Sequence, residues 1–136
     1  MYETFEHTAD LGLRIRAPDL DRLFVEAGQA LFSVILEDPG AIKTSQQFEV
    51  RLPADSWENL LFDWLRELLY HFDGEHFVSG RFEAHVSDAG LTATVWGEPY
   101  DPDRHRLQHE VKAITYHALR VEQRDDGWLA EVIVDI

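Results

Sequence analysis

The sequence predicts an α+β fold: a single domain with two amphipathic helices packed on a mostly antiparallel sheet of about seven strands. Three observations predict it. Two long stretches carry apolar residues every third and fourth position, the spacing of one helix face. Several shorter runs alternate apolar and polar residues, the period of a half-buried strand. Most of these runs are joined by short turns, and short turns force antiparallel pairing. A chain of 136 residues is long enough for one real hydrophobic core, so the domain is taken as 1–136. No repeat, linker or low-complexity segment divides it.

The elements follow in order. Tyr2 to Glu6 reads as a short strand. After a polar break at His7–Asp10, Leu11, Leu13, Ile15 and Ala17 alternate with Gly12, Arg14 and Arg16. Asp19 is placed to cap a helix whose face is Leu20, Leu23, Phe24, Ala27, Leu31, Val34 and Ile35. Asp38-Pro39-Gly40 ends it. Phe48, Val50 and Leu52 mark a strand closed by Pro53. A second helix runs from about Ser56 to Phe72, with Asp55 and Glu58 as a capping pair. Its heavy face includes Trp57, Trp64 and five leucines, which makes it the expected main core element. Asp73-Gly74 stops it. A hairpin turning at Asp88-Ala89-Gly90 joins Phe82–Val86 to Leu91–Val95. A loop from Gly97 to Arg106 precedes one long strand over Val111–Val121. Asp125-Asp126-Gly127 turns that strand into the last one, Trp128–Ile136.

Composition excludes several classes. The chain has no cysteine, which removes disulfides, thiolate nucleophiles and zinc–thiolate sites and fits a reducing, cytoplasmic setting. No apolar run approaches the roughly 20 residues that span a bilayer, and the acidic N-terminus does not read as a signal peptide. The formal charge is −14, from 26 acids against 12 bases. Such a surface repels phosphate backbones, so autonomous nucleic-acid binding is not expected. It suits a cation or a basic protein partner, or simply keeps the chain soluble. There is no phosphate-binding glycine loop, no Gly-x-Ser-x-Gly elbow and no His-Glu-x-x-His helix.

The chemistry is sought at the two ends. Asp10 sits where the first two strands meet, and Asp135 and Ile136 close a strand-like run. If those strands pair, Asp10, Asp135 and the main-chain carboxylate expected at Ile136 converge. Three anionic groups repel one another unless a cation holds them, and hard cations such as calcium or magnesium prefer oxygen ligands. His7, three residues before Asp10, is placed to bind or orient that cation. The plainer alternatives are an Asx turn at Asp10 and a solvated strand end at Asp135. Lys112 and Tyr116 share one strand face in Val111–His117, with His117 on the other. Lys112 either neutralises carboxylates, touches phosphate or is an ordinary surface lysine. Asp101-Pro102-Asp103-Arg104-His105 reads as a solvated loop without an EF-hand pattern.

Five stretches carry a resemblance. Glu6-His7-Thr8-Ala9-Asp10-Leu11-Gly12, Leu60-Leu61-Phe62-Asp63-Trp64-Leu65, Gly97-Glu98-Pro99-Tyr100-Asp101, Val111–His117 and Val134-Asp135-Ile136, in that order along the whole chain, resemble the archease family. Leu11 and Phe62 depart from the commoner residues without touching the proposed ligands. The resemblance implies a non-catalytic accessory factor of an RtcB-type RNA ligase of tRNA splicing and RNA repair. It would promote guanylylation of the ligase from GTP and sustain multiple turnover. The resemblance also implies a metal site at Asp10, Asp135 and the Ile136 carboxylate, with calcium as the cation expected in a structure. His7, Lys112 and His117 are then supporting or ligase-facing. Two other readings stay open: a chaperone-like protein that stabilises partners without taking part in chemistry, and a metal-dependent hydrolase.

Overall fold

The core is set by which faces the alternating strands bury. In the computed structural model, residues 1–7 and 10–136 are described, with His7 described in its backbone only. The part of the predicted polar break at Thr8 and Ala9, and the side chain of His7, lie outside the described residues. Strands β1 (Tyr2–His7) and β2 (Asp10–Ala17) pair antiparallel. Helix α1 (Leu20–Ile35) follows, then a short 3-10 turn over Pro39–Ala41 and β3 (Gln46–Pro53). Helix α2 (Trp57–Glu75) leads to the hairpin β4 (Phe77–Ser87) and β5 (Gly90–Pro99). Strands β6 (Ala113–Ile114), β7 (Arg120–Arg124) and β8 (Gly127–Asp135) complete the chain.

Every strand pair is antiparallel, but the strands form two sheets rather than one. The larger runs β1-β2-β8-β6, with β7 also paired to β8. The smaller runs β3-β5-β4. Helix α1 packs against β2 of one sheet and β4 of the other, and that position decides its burial. Leu23 through Gly28, Ala30–Phe32, Val34 and Ile35 are all buried, so α1 rather than α2 is the most enclosed element. Helix α2 keeps an exposed side. The two helices are tied where the Trp64 indole N–H donates to the Phe24 carbonyl at 2.9 Å.

Local chemistry explains the helix ends. Asp19 caps α1 by accepting from the Arg22 amide at 2.8 Å. At α2 the cap is Ser56, accepting from the Asn59 amide at 3.1 Å, not the expected Asp55–Glu58 pair. Asp55 instead accepts from the Ser56 amide and the Asn59 side chain. Glu58 reaches away to accept from the Val121 amide at 2.9 Å, tying α2 to β7. The helix runs past Asp73-Gly74 to Glu75 and stops at His76, whose left-handed φ of 56° closes the last turn.

The long strand expected over 111–121 is broken. Ile114 pairs with Val134 and Arg120 with Glu131, so five residues of one strand face two of β8. The Thr115 amide and hydroxyl both donate to the Ile133 carbonyl, at 3.1 and 2.9 Å. Tyr116 then leaves the sheet to stack on Phe62 of α2, and Ala118 turns the chain back at φ 53°. With that break the described residues form eight strands, against the expected seven or so. Among the described residues, no helix is long and apolar enough to cross a membrane.

Candidate functional site

The β2–β8 ladder carries the residues the sequence singled out. Asp10 stands directly opposite Asp135, Gly12 opposite Ile133 and Arg14 opposite Glu131. Opposed residues of a ladder share one face, with Cβ atoms about 4.5–5.5 Å apart. The register extends on both sides. His7 pairs with Asp10 on β1, and Ala113 pairs with Asp135 on β6. One row therefore crosses four strands: His7, Asp10, Asp135, Ala113. The Lys112 amide donates to the Asp135 carbonyl at 2.7 Å and holds the segment against the strand end. Asp10, Asp135 and Ile136 are all partly buried. Ile136 packs its side chain against the core, which anchors the end of β8.

Of the supporting candidates, Lys112 and His117 are both exposed, and they lie on opposite sides of the break after Ile114. The His117 amide donates to the Thr115 hydroxyl at 3.3 Å. Lys112 joins the row through its main chain. Among the described residues, no three His, Asp or Glu side chains converge as a metal cluster. The Asp10–Asp135 pair brings two carboxylates to one face of the ladder. That donor set is all oxygen and fits a hard cation such as calcium.

The same face carries a second opposed pair, of opposite charges. Two residues along, Phe5 covers Gly12 so closely that a Cβ there would stand 2.1 Å from the ring. Arg14 lies over that ring at 4.7 Å and donates to Glu131 at 2.7 Å. Arg120 donates to the other oxygen of Glu131 at 2.6 Å. Burial pushes the Glu131 carboxyl up, but Arg120 and Arg14 outweigh it and leave it below the usual range.

A second acidic cluster lies in the interior, where the sequence predicts a solvated loop. Glu98, 5% exposed, is the penultimate residue of β5. It takes a bidentate contact from Arg104, the Lys43 amide at 2.7 Å and His105 Nε2 at 2.9 Å. His105 Nδ1 accepts from the Asp101 amide at 2.8 Å, so its proton sits on Nε2 and is donated to Glu98. Arg104 holds the Glu98 carboxyl down at about 2, against the upward push of burial. The expected solvated loop is thus a locked one. The signal was in the sequence, in Gly97–Asp101 followed by Arg104 and His105, but no periodicity marks it.

Comparison with known proteins adds the family. The chain matches the Archease protein family (MTH1598/TM1083) over residues 2–136. The chain belongs to the archease family. Relatives named "Protein archease" include one from Methanosarcina acetivorans, 38% identical, with 99% of this chain and 95% of the relative covered. Another, from Methanopyrus kandleri, is 37% identical, with 99% of each chain covered. Protein 1598 of Methanobacterium thermoautotrophicum has the same fold in solution, with a TM-score of 0.84 and 32% identity over 99% of this chain and 98% of that one. A crystal structure from Thermotoga maritima, called an archease and possible chaperone, superposes with a TM-score of 0.69 over 100% and 98% of the two chains. At 22% identity it supports the fold alone.

Proposed function

We infer that this family member activates an RtcB-type RNA ligase of tRNA splicing and RNA repair, acting in the cytoplasm without catalysing a reaction of its own. It promotes guanylylation of the ligase from GTP and so sustains multiple turnover. Asp10, Asp135 and Ile136 hold a divalent cation, calcium when bound in a structure. The observation that carries this reading is the register: two acidic residues face each other across β2 and β8. Opposed like charges destabilise a ladder unless something positive offsets them. A bound cation offsets them and can orient and neutralise phosphate oxygens.

The residues of this chain then divide the work. Asp10 and Asp135 hold the charge. The Lys112 amide fixes the end of β8 through the Asp135 carbonyl. The exposed Lys112 and His117 side chains are placed to meet the ligase or its nucleotide. The acidic surface suits a ligase whose RNA groove is basic.

The test is ligase guanylylation with GTP and manganese, without and with this protein as wild type and as Asp10→Ala. Acceleration by wild type and none by a folded Asp10→Ala variant is expected. Equal acceleration by both would remove the acidic site from the function. It would favour the second reading, a chaperone-like protein that stabilises partners without taking part in chemistry.

A further inference from the structure

Beside the acidic edge lies an aromatic stack that plays no part in holding a cation. Tyr116 sits flat on Phe62, ring centroids 3.9 Å apart and 13° from parallel. Phe62 is buried while Tyr116 is 60% exposed, so one face of the tyrosine is packed and the other meets solvent. The backbone that presents this ring is fixed on both sides. Thr115 makes its two bonds to Ile133, and the Leu119 amide donates to the Tyr116 carbonyl at 3.2 Å.

The stack continues along the exposed side of α2. Arg66 lies over Phe62 at 5.4 Å and pairs with Asp63 at 3.5 Å. One turn on, Tyr70 is also 60% exposed, its ring lying beside Gly74. A solvated helix face ordinarily carries charges, whereas exposed Tyr with Arg is the composition of an interface centre. The surroundings are acidic. Asp63, Glu67 and Asp73 lie on the same helix, and the Asp73 carboxyl is raised first by burial and then by the nearby charge of Glu110.

We propose that the Tyr116–Arg66–Tyr70 row docks a basic protein surface, which lays an arginine side chain on the open face of Tyr116. A guanidinium stacks on tyrosine, and further basic groups meet Asp63, Glu67, Asp73 and Glu110. The acidic rim disfavours the other occupants. A nucleic acid would bring phosphates against four carboxylates, and a second copy would set one charge of −14 against another. The proposal rests on the accessory-factor reading, in which the partner is the ligase. Tyr116 is three residues from Ala113, which pairs with Asp135. That is about 10 Å along an extended chain, so docking here brings the acidic edge up to the partner.

The test measures affinity for the RtcB-type ligase together with guanylylation, using wild type, Tyr116→Ala, Tyr116→Phe, Tyr70→Ala and Asp10→Ala. Melting curves confirm that each variant folds. Tyr116→Ala is expected to weaken binding about 10-fold and Tyr70→Ala about 3-fold, while Tyr116→Phe keeps the ring and stays near wild type. Asp10→Ala should bind and fail to stimulate. Affinity should fall as salt rises. Wild-type stimulation with normal binding by both Ala variants overturns the docking surface and leaves the accessory role standing. Wild-type binding to a second copy or to RNA that Tyr116→Ala loses, with ligase binding unaffected by that change, overturns the proposal and assigns the row to another occupant. Absence of any wild-type binding or stimulation overturns the accessory role, and the docking surface with it.

Discussion

Two rows of one ladder, four residues apart on β8, treat charge in opposite ways. At Arg14–Glu131 opposite charges face each other, and Arg120 adds a second guanidinium from β7. At Asp10–Asp135 like charges face each other. The first row joins Glu131 to two guanidiniums of the chain. The second sets two carboxylates together at the end of the sheet, where β8 stops. Glu98 repeats the lesson of the first row in the interior, with Arg104, His105 and the Lys43 amide around it. In an acidic chain the number of carboxylates says little. What surrounds each one decides how far its charge is offset.

Mutations can break this contrast, and the largest effect belongs to the Asp10–Asp135 row. Asp10→Ala should reduce ligase stimulation about 10- to 100-fold with the fold intact, measured by guanylylation and by melting. The closed interior cluster should respond in stability instead. Glu98→Gln leaves Arg104 and His105 facing a neutral group, and denaturant unfolding should show a loss of about 2–3 kcal/mol at neutral pH, with cation binding unchanged. The pH dependence has a definite sign. Glu98 is held down to about 2 in the folded chain, against an ordinary value of 4.5. Its contribution is therefore complete above pH 4.5 and is lost as pH falls toward 2. Wild type and Glu98→Gln should converge in stability across that window.

Between the two rows, Gly12→Ala should cost about 1–3 kcal/mol in unfolding, because the new Cβ would drive the Phe5 ring off its seat and Arg14 with it. The smallest effect has the most telling sign. Asp135→Asn should raise the stability of the cation-free protein by up to about 1 kcal/mol, since it removes one of two opposed charges. The same change at the closed row, Glu131→Gln, should lower stability by about 1 kcal/mol or less, since both arginine partners are partly exposed. Thermal unfolding without divalent cations compares the two.

Much of this was legible in the residues because it depends on short-range periodicity. Leu13, Ile15 and Val132 alternate as strands must, and Asp19 caps the helix it precedes. The meeting of Asp10 with Asp135 followed from placing both at strand ends and pairing those strands. Other features depend on contacts that periodicity does not encode. The alternation through Val111–Val121 cannot show that Thr115 spends both donors on one carbonyl, or that Tyr116 prefers Phe62 to the sheet. Glu58 reads as a capping residue until β7 arrives beside it. The division into two sheets follows from α1 packing between β2 and β4, a three-dimensional fact with no local signature. Arg104 and His105 look like loop residues because their partner, Glu98, is identified only by its burial.

The proposed cation site at Asp10 and Asp135 is tested most directly by calorimetric titration of calcium into wild type, Asp10→Ala and Asp135→Asn. Saturable binding of one ion per chain by wild type, lost or weakened at least about 10-fold in both variants, is the expected result. Equal binding by all three, or none by wild type, would contradict the assignment of Asp10 and Asp135 as ligands.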